Sequence, residues 1–385
     1  MKNTSGRFRV FLELFLLLCF IFPAGFGFFA VMLELSLPGK TLGLTASALI
    51  LALTANRVGR MLSATAASVS LFRRYEIIVA GLSQSAALFL IFRGSTLSDP
   101  SLLAGGAFFL GIGLAAGNVY FRALLTSGRS HISSVHYAVV FYVLWGLGVA
   151  FAGLAWSYSL QGQVILAMLL ISLIGTAASQ IIFKGLQGHS EGANETIQGR
   201  NASAYMRIFS LSVPAAIVSC VAILFNATLI PVLTNKFGFS VAGTGIAAFF
   251  IVIGNLFALL GKAKMISGEL RRFLTFVLAN ILLVVFLFAL RDYKAAALLI
   301  IIGIGWSSTL SLQSQMDFIA LKAGPDMHRA IHAVSEIVSV AAGVAFALIN
   351  KVGIGLLVQF VFITGALLLW ARLESNRPVP EETYG

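Results

Sequence analysis

What this chain of 385 residues lacks most is charge: Asp, Glu, Lys and Arg make up 10% of it, against about 25% in an ordinary soluble domain. Acidic residues are the scarcest, 14 in all. A soluble protein of this length must clothe its core in polar surface, and the side chains for that surface are missing. The shortage excludes a water-soluble globular fold. Cysteine is nearly absent as well. Cys19 and Cys220 both sit in apolar runs, and no CxxC or Cys/His spacing occurs. That excludes a disulfide framework and the common zinc patterns. No GxxxxGK[ST] loop is present, so no ATP site is legible, and the glycines at 105, 106, 111, 113 and 117 read as close-packing positions between helices.

What the chain does have is apolar length. Hydrophobic residues make up 59%, and the mean hydropathy is +0.96. A spanning helix needs about 20 mostly apolar residues. Reading the runs between charges and turn residues gives twelve: 10–33, 43–70, 76–93, 103–125, 135–157, 163–184, 206–231, 240–261, 272–290, 295–320, 327–348 and 352–371. The first is too long for a signal-peptide core and has no small-residue cleavage site after it. Backbone groups without water to bond must be satisfied within helices, so the expected class is an all-α membrane protein.

The formal net charge of +12 could suggest nucleic acid, but Lys and Arg are scattered in ones and twos rather than gathered in a patch. They record orientation instead. With the N-terminus in the cytoplasm, 18 of the 26 Lys and Arg fall on the cytoplasmic side and six on the other. Both termini, and the polar segment 185–205 at the chain midpoint, are therefore expected to be cytoplasmic, in a multi-pass protein of a bacterial inner membrane.

The sequence also repeats. Gly111-Ile112-Gly113 returns as Gly303-Ile304-Gly305 at an offset of 192; Gly148-Val149-Ala150-Phe151-Ala152 returns as Gly343-Val344-Ala345-Phe346-Ala347 at 195; and Leu42-Gly43-Leu44-Thr45 matches Phe237-Gly238-Phe239-Ser240, again at 195. Each match joins runs of corresponding rank. Two six-helix pseudo-repeats, 1–184 and 206–385, joined by the 185–205 linker around a central cavity, resemble the major facilitator superfamily. The resemblance covers the whole chain, but its motifs are worn. Ser70-Leu71-Phe72-Arg73-Arg74 keeps only the basic end of the family's G-x-x-x-D-R-x-G-R-R loop, and Gly146, Gly148 and Gly153 are what remains of its helix-five antiporter motif. The resemblance implies secondary active transport by alternating access, with a substrate site near the bilayer midplane and no cofactor.

Ionisable side chains at membrane depth are costly and mark function by default. Asn56-Arg57-Val58-Gly59-Arg60 falls in the middle of the second run. Arg57 and Arg60, three apart, share a face and offer planar donor forks suited to a carboxylate or phosphate. The same five residues resemble the family's D-R-x-G-R loop, but placing them in a loop would leave only one helix for 61–95 and bury Arg73, Arg74 and Glu76. Glu13 is a candidate partner for the arginines. Glu336, with His332 one turn before it, and Asp317 in the preceding helix form a candidate proton relay, together with Glu13. His328, His332 and Glu336 spread over two turns, too far apart to close on one metal ion. Asn118, Tyr142, Asn226, Asn255 and Gln313, with Asn56, complete a substrate-binding set.

The expectation is thus a proton-coupled carrier of a small organic anion, in symport or antiport, with efflux of a polycarboxylate siderophore as one example. The alternatives are a drug or lipid exporter whose arginines are structural, or an intramembrane enzyme using Glu336, His332 and Asp317.

Overall fold

In the computed structural model, residues 2–37, 46–67, 75–126, 132–183, 202–260, 270–323, 328–351 and 356–375 are described. Among them the chain is helical, without strands. The helices are α1 (Lys2–Ser36), α2 (Ala46–Ala67), α3 (Glu76–Leu97), α4 (Pro100–Thr126), α5 (Ser134–Ser157) and α6 (Gln161–Phe183), then α7 (Ala202–Pro231), α8 (Val241–Leu260), α9 (Leu270–Ala289), α10 (Lys294–Ala323), α11 (His328–Lys351) and α12 (Leu356–Ser375). A π-helical turn, Val232–Lys236, ends α7. Each helix overlaps one of the twelve apolar runs. Pro23 in α1 and Pro214 in α7 each remove a backbone donor inside the helix that opens its set of six, where bends are expected.

Among the described residues, nine helices are long and apolar enough to cross a bilayer: α1 and α3 to α10. α2, α11 and α12 fall short. In α2 the deficit has a plain cause, because this helix carries Arg57 and Arg60, whereas the apolar stretch described in α11, Ala333–Ile349, is 17 residues long with Glu336 as its one charge. Their outer faces are still apolar. Leu51 and Leu62 of α2, Val344 and Leu348 of α11, and Phe362 and Leu369 of α12 are exposed, as are Phe89, Leu170, Phe257 and Phe286 elsewhere. So large an apolar exterior suits contact with lipid, not water.

Helix pairing recurs six ranks on. α2 and α3 pack on α4, α1 on α5 and α6, and α3 on α6; correspondingly α8 and α9 pack on α10, α7 on α11 and α12, and α9 on α12. The first six helices meet the last six most extensively where α2 packs on α11 and α5 on α8, while α7 also touches α2 and α1. Glycine contacts fix the register. A side-chain carbon on Gly59 would strike the Phe108 carbonyl, and one on Gly111 the Asn56 carbonyl. On α8 and α10, Gly254 stands against the Ile302 carbonyl and Gly305 against that of Ile251. Residues 56 and 59 thus match 251 and 254 at an offset of 195, whereas 108 and 111 match 302 and 305 at 194. The triplet match at 192 is out of register by two residues: Gly111, not Gly113, is the counterpart of Gly305. Gly113 faces α3 at the Ala80 carbonyl instead.

Polar side chains between helices mostly hold the packing. Gln84 of α3 donates to the Phe20 carbonyl of α1, and Asn280 of α9 donates to the Ile304 carbonyl and to the Ser307 and Ser308 hydroxyls of α10. Such bonds contribute roughly 0.6 kcal/mol each on average.

Candidate functional site

A cavity of about 570 Å³ lies among α1, α2, α4, α5, α7, α8, α10 and α11. Helical periodicity decides what each helix shows it. On α2, Asn56 and Gly59 form the face against α4: the Asn56 amide donates to the Ala107 carbonyl at 2.9 Å, and Gly59 lets the backbones meet. One step around the helix, Leu53, Arg57, Arg60 and Ala64 make a single stripe along the cavity wall. The close α2–α4 seam therefore aims both arginines inward. The Asn56–Arg60 stretch lies inside α2 rather than in a loop.

Glu336 arrives from α11, on the wall formed with Ile331 and Ser335. Arg57 Nη1 donates to Glu336 Oε1 at 3.3 Å and Oε2 at 3.4 Å, and reaches the Ser219 hydroxyl of α7 at 3.5 Å. Arg60 Nε is 3.2 Å from the same Oε1. The carboxylate is 1% exposed, while the Arg57 and Arg60 side chains are 14% and 25% exposed. One shielded carboxylate is thus shared by two cations that still face the cavity. Breaking such a pair from one side strands a charge, which is far costlier than the pair is stabilising.

The residues named from sequence fare differently. Arg57, Arg60 and Glu336, assigned separately to substrate and to proton, meet in one cluster. Glu13 does not line the cavity. It lies about 23 Å of helix below Phe28, the first α1 residue on the wall. The carboxylate beside the arginines is Glu336, from the other set of six helices. Tyr142, Asn226 and Asn255 are on the wall. Asn255 Oδ1 accepts from the Thr309 hydroxyl at 2.6 Å. Asn56 touches the wall but is 5% exposed, its amide committed to α4. The side chains of Asn118, Gln313, Asp317 and His332, and residues 185–201 of the linker, lie outside the described residues.

Sequence reasoning passed over Ser219, a lone hydroxyl in an apolar helix with nothing to distinguish it. It also passed over Glu34, placed just beyond the first run. Buried between α1, α3 and α5, Glu34 accepts from Ser95 Oγ at 2.6 Å and Trp156 Nε1 at 2.9 Å.

Opposite in character is the α5 wall, where Tyr137, Phe141, Tyr142 and Trp145 recur at helical spacing. Phe141 and Trp145 lie nearly parallel, 10° apart in plane with centroids at 6.2 Å, and Phe28 of α1 meets Trp145 at 5.7 Å.

No protein-family model and no curated protein sequence matches the chain. Solved structures do. Two structures of the nucleoside transporter NupG, one of them a mutant, superpose with a TM-score of 0.66 each, at 11% identity for the mutant and 10% for the other. The match covers 94% of this chain and 97% and 96% of theirs. At that identity the likeness is one of fold: the chain shares the overall helical fold of these two structures over nearly its whole length.

Proposed function

We propose that the chain is a secondary active transporter of a small organic monoanion, coupled to protons, working by alternating access between two six-helix pseudo-repeats in a bacterial inner membrane. The observation that carries the reading is the cluster of two guanidiniums and one carboxylate on the wall of a central cavity. Among the described wall residues it has one positive charge in excess, in a place where water is scarce and charge is expensive. A ligand with one negative charge complements it. This narrows the substrate from a polycarboxylate siderophore, whose several charges one excess cation does not match, to a single carboxylate or its equivalent.

The proposed cycle uses the same groups. Arg57 and Arg60 bind the substrate anion, with planar forks that favour bidentate geometry. While ionised, Glu336 shares the guanidiniums with the substrate and leaves one positive charge for it; a proton on Glu336 ends that sharing and tightens the hold on the anion. Because the cluster joins α2 of one half to α11 of the other, exchanging Glu336 for a substrate changes a contact between the halves, and a ligand shifts a two-state equilibrium only through such a difference. Sequence-read topology completes the proposal: Ser190→Cys should label from outside only after the membrane is permeabilised.

A second reading has its own support. Glu336 already neutralises one cation, and the cavity carries amides and aromatic rings, so the arginines could be structural and the substrate neutral. The structural likeness to a nucleoside transporter suits that reading. Proteoliposomes under an imposed pH gradient separate the two. Accumulation of radiolabelled monoanions, lost in Arg57→Gln, supports the proposal. Accumulation of neutral solutes only, unchanged in Arg57→Gln, overturns it in favour of the second reading.

A further inference from the structure

The α5 wall is not needed to explain the charge cluster, and it has an organisation of its own. Tyr137, Phe141 and Trp145 follow at i, i+4 and i+8, so their rings form one column beside the cavity. In that column Phe141 and Trp145 are stacked, Tyr137 and Phe141 are 6.2 Å apart, and Tyr142 stands edge-on to Phe141 at 5.6 Å. The rings are half-buried rather than sealed in the core. Nor is the column free to collapse. A side-chain carbon on Gly25 of α1 would meet the Trp145 carbonyl, one on Gly148 the Phe22 carbonyl, and one on Gly146 the side chains of Val252 and Phe249. Three glycine contacts thus seat α5 closely against α1 and α8 at the Trp145 end of the aromatic stripe. The result is a preorganised π surface on a cavity whose α2–α11 side carries the guanidiniums.

Two such surfaces select one kind of molecule. We infer that the transported anion is a planar aromatic monocarboxylate, its ring stacked on the Phe141–Trp145 column and its carboxylate held by Arg57 and Arg60. This rests on the anion reading above and goes beyond it by naming the body of the substrate. Aliphatic acids satisfy the cations but forgo the stacking, and neutral aromatics do the reverse. The cavity, at about 570 Å³, is in the range that encloses a one- or two-ring molecule. Thr309 engages the carbonyl of Asn255, which leaves the amide N–H₂ end of that wall residue to meet a ring substituent oxygen.

The test is titration calorimetry on the purified full chain in detergent with three probes of similar size: 2-naphthoate, decahydronaphthalene-2-carboxylate and 2-naphthamide. The expected order is 2-naphthoate tighter than its saturated analogue by about 3- to 10-fold, and tighter than the amide by at least about tenfold. In Trp145→Leu and in Phe141→Leu the preference for the aromatic acid should fall toward parity while the preference over the amide persists. Equal binding of 2-naphthoate and its saturated analogue to the unmodified protein overturns the aromatic inference and leaves the anion reading standing. Equal binding of 2-naphthoate and the amide overturns the anion reading itself. Failure of 2-naphthoate to bind overturns the inference, and the unmodified protein alone decides each of these outcomes should a variant not fold.

Discussion

The two most extensive contacts between the first six helices and the last six are made of opposite materials. Where α5 meets α8, backbones touch: Gly153 and Gly245 stand Cα against Cα, and Gly146 receives Val252 and Phe249. Where α2 meets α11, the contact includes the shared carboxylate of Glu336 between Arg57 and Arg60. At the offset of 195 set by the glycines, Arg57 and Arg60 correspond to Val252 and Asn255, and Glu336 to Phe141. The charged seam and the apolar seam therefore occupy equivalent places. A seam of close-packed small residues is held by dispersion, and neither a proton nor an anion weakens it. An ionic seam is conditional: a proton on the carboxylate, or a competing anion on the guanidiniums, undoes it. Both seams hold the protein together, and on the proposed transport cycle the permanent contact is α5–α8 and the releasable one α2–α11.

The largest effect that could break this comparison lies at Glu336. Glu336→Ala leaves two guanidiniums facing one cavity without their carboxylate and should cost about 3–5 kcal/mol, read as a lowered thermal-unfolding midpoint in detergent. Arg57→Leu combined with Glu336→Leu should recover part of that loss, because only Arg60 then lacks its carboxylate. Unfolding of Glu336→Ala at the unmodified midpoint would show that the ionic seam does not hold the halves.

Next come the glycines. Gly153→Ala would put a carbon 2.8 Å from Gly245 Cα and 3.0 Å from the Val241 carbonyl, neither of which can rotate away. A loss of about 1–3 kcal/mol is expected. Gly343→Ala on α11 meets the side chain of Thr54 instead, which can turn once its bond to the Ile50 carbonyl is released. It should cost less. Equal losses at the two seams would mean that they are equally rigid.

How much of this was legible beforehand follows from what sequence patterns encode. Helices were legible because lipid demands about 20 apolar residues whatever their partners, and every described helix overlaps a run read from composition alone. Arg57, Arg60 and Glu336 were legible one at a time, since a charge inside such a run stands out. Their meeting was not, because it depends on how α2 packs on α11, 279 residues apart at the Arg57–Glu336 contact. Glu13 was legible only as a candidate partner, because depth along α1 and position around the bundle cannot both be read from one helix. The recurring glycine contacts were visible as glycine pairs, yet the register slipped by two at Gly111, where identity of letters outvoted identity of contacts. Ser219 had no signal at all.

The smallest effect concerns bonds inside one half. Gln84→Leu removes a donor to the Phe20 carbonyl without touching either seam, and should cost roughly 0.6–1.7 kcal/mol while leaving ligand affinity unchanged. A change in affinity would extend the switching region beyond α2 and α11.

The central claim, that the arginines are kept for an anion and that Glu336 is its internal competitor, turns on a sign. Affinity for 2-naphthoate should be measured at one pH for the unmodified chain, Glu336→Gln, Arg57→Gln and Arg60→Gln, each verified as folded. The account predicts opposite directions: Glu336→Gln frees both guanidiniums and binds tighter, whereas each arginine variant binds weaker by about tenfold or more. If the pair is only a structural latch, breaking it from either side has the same consequence, and weakening in Glu336→Gln to match the arginine variants would contradict the account.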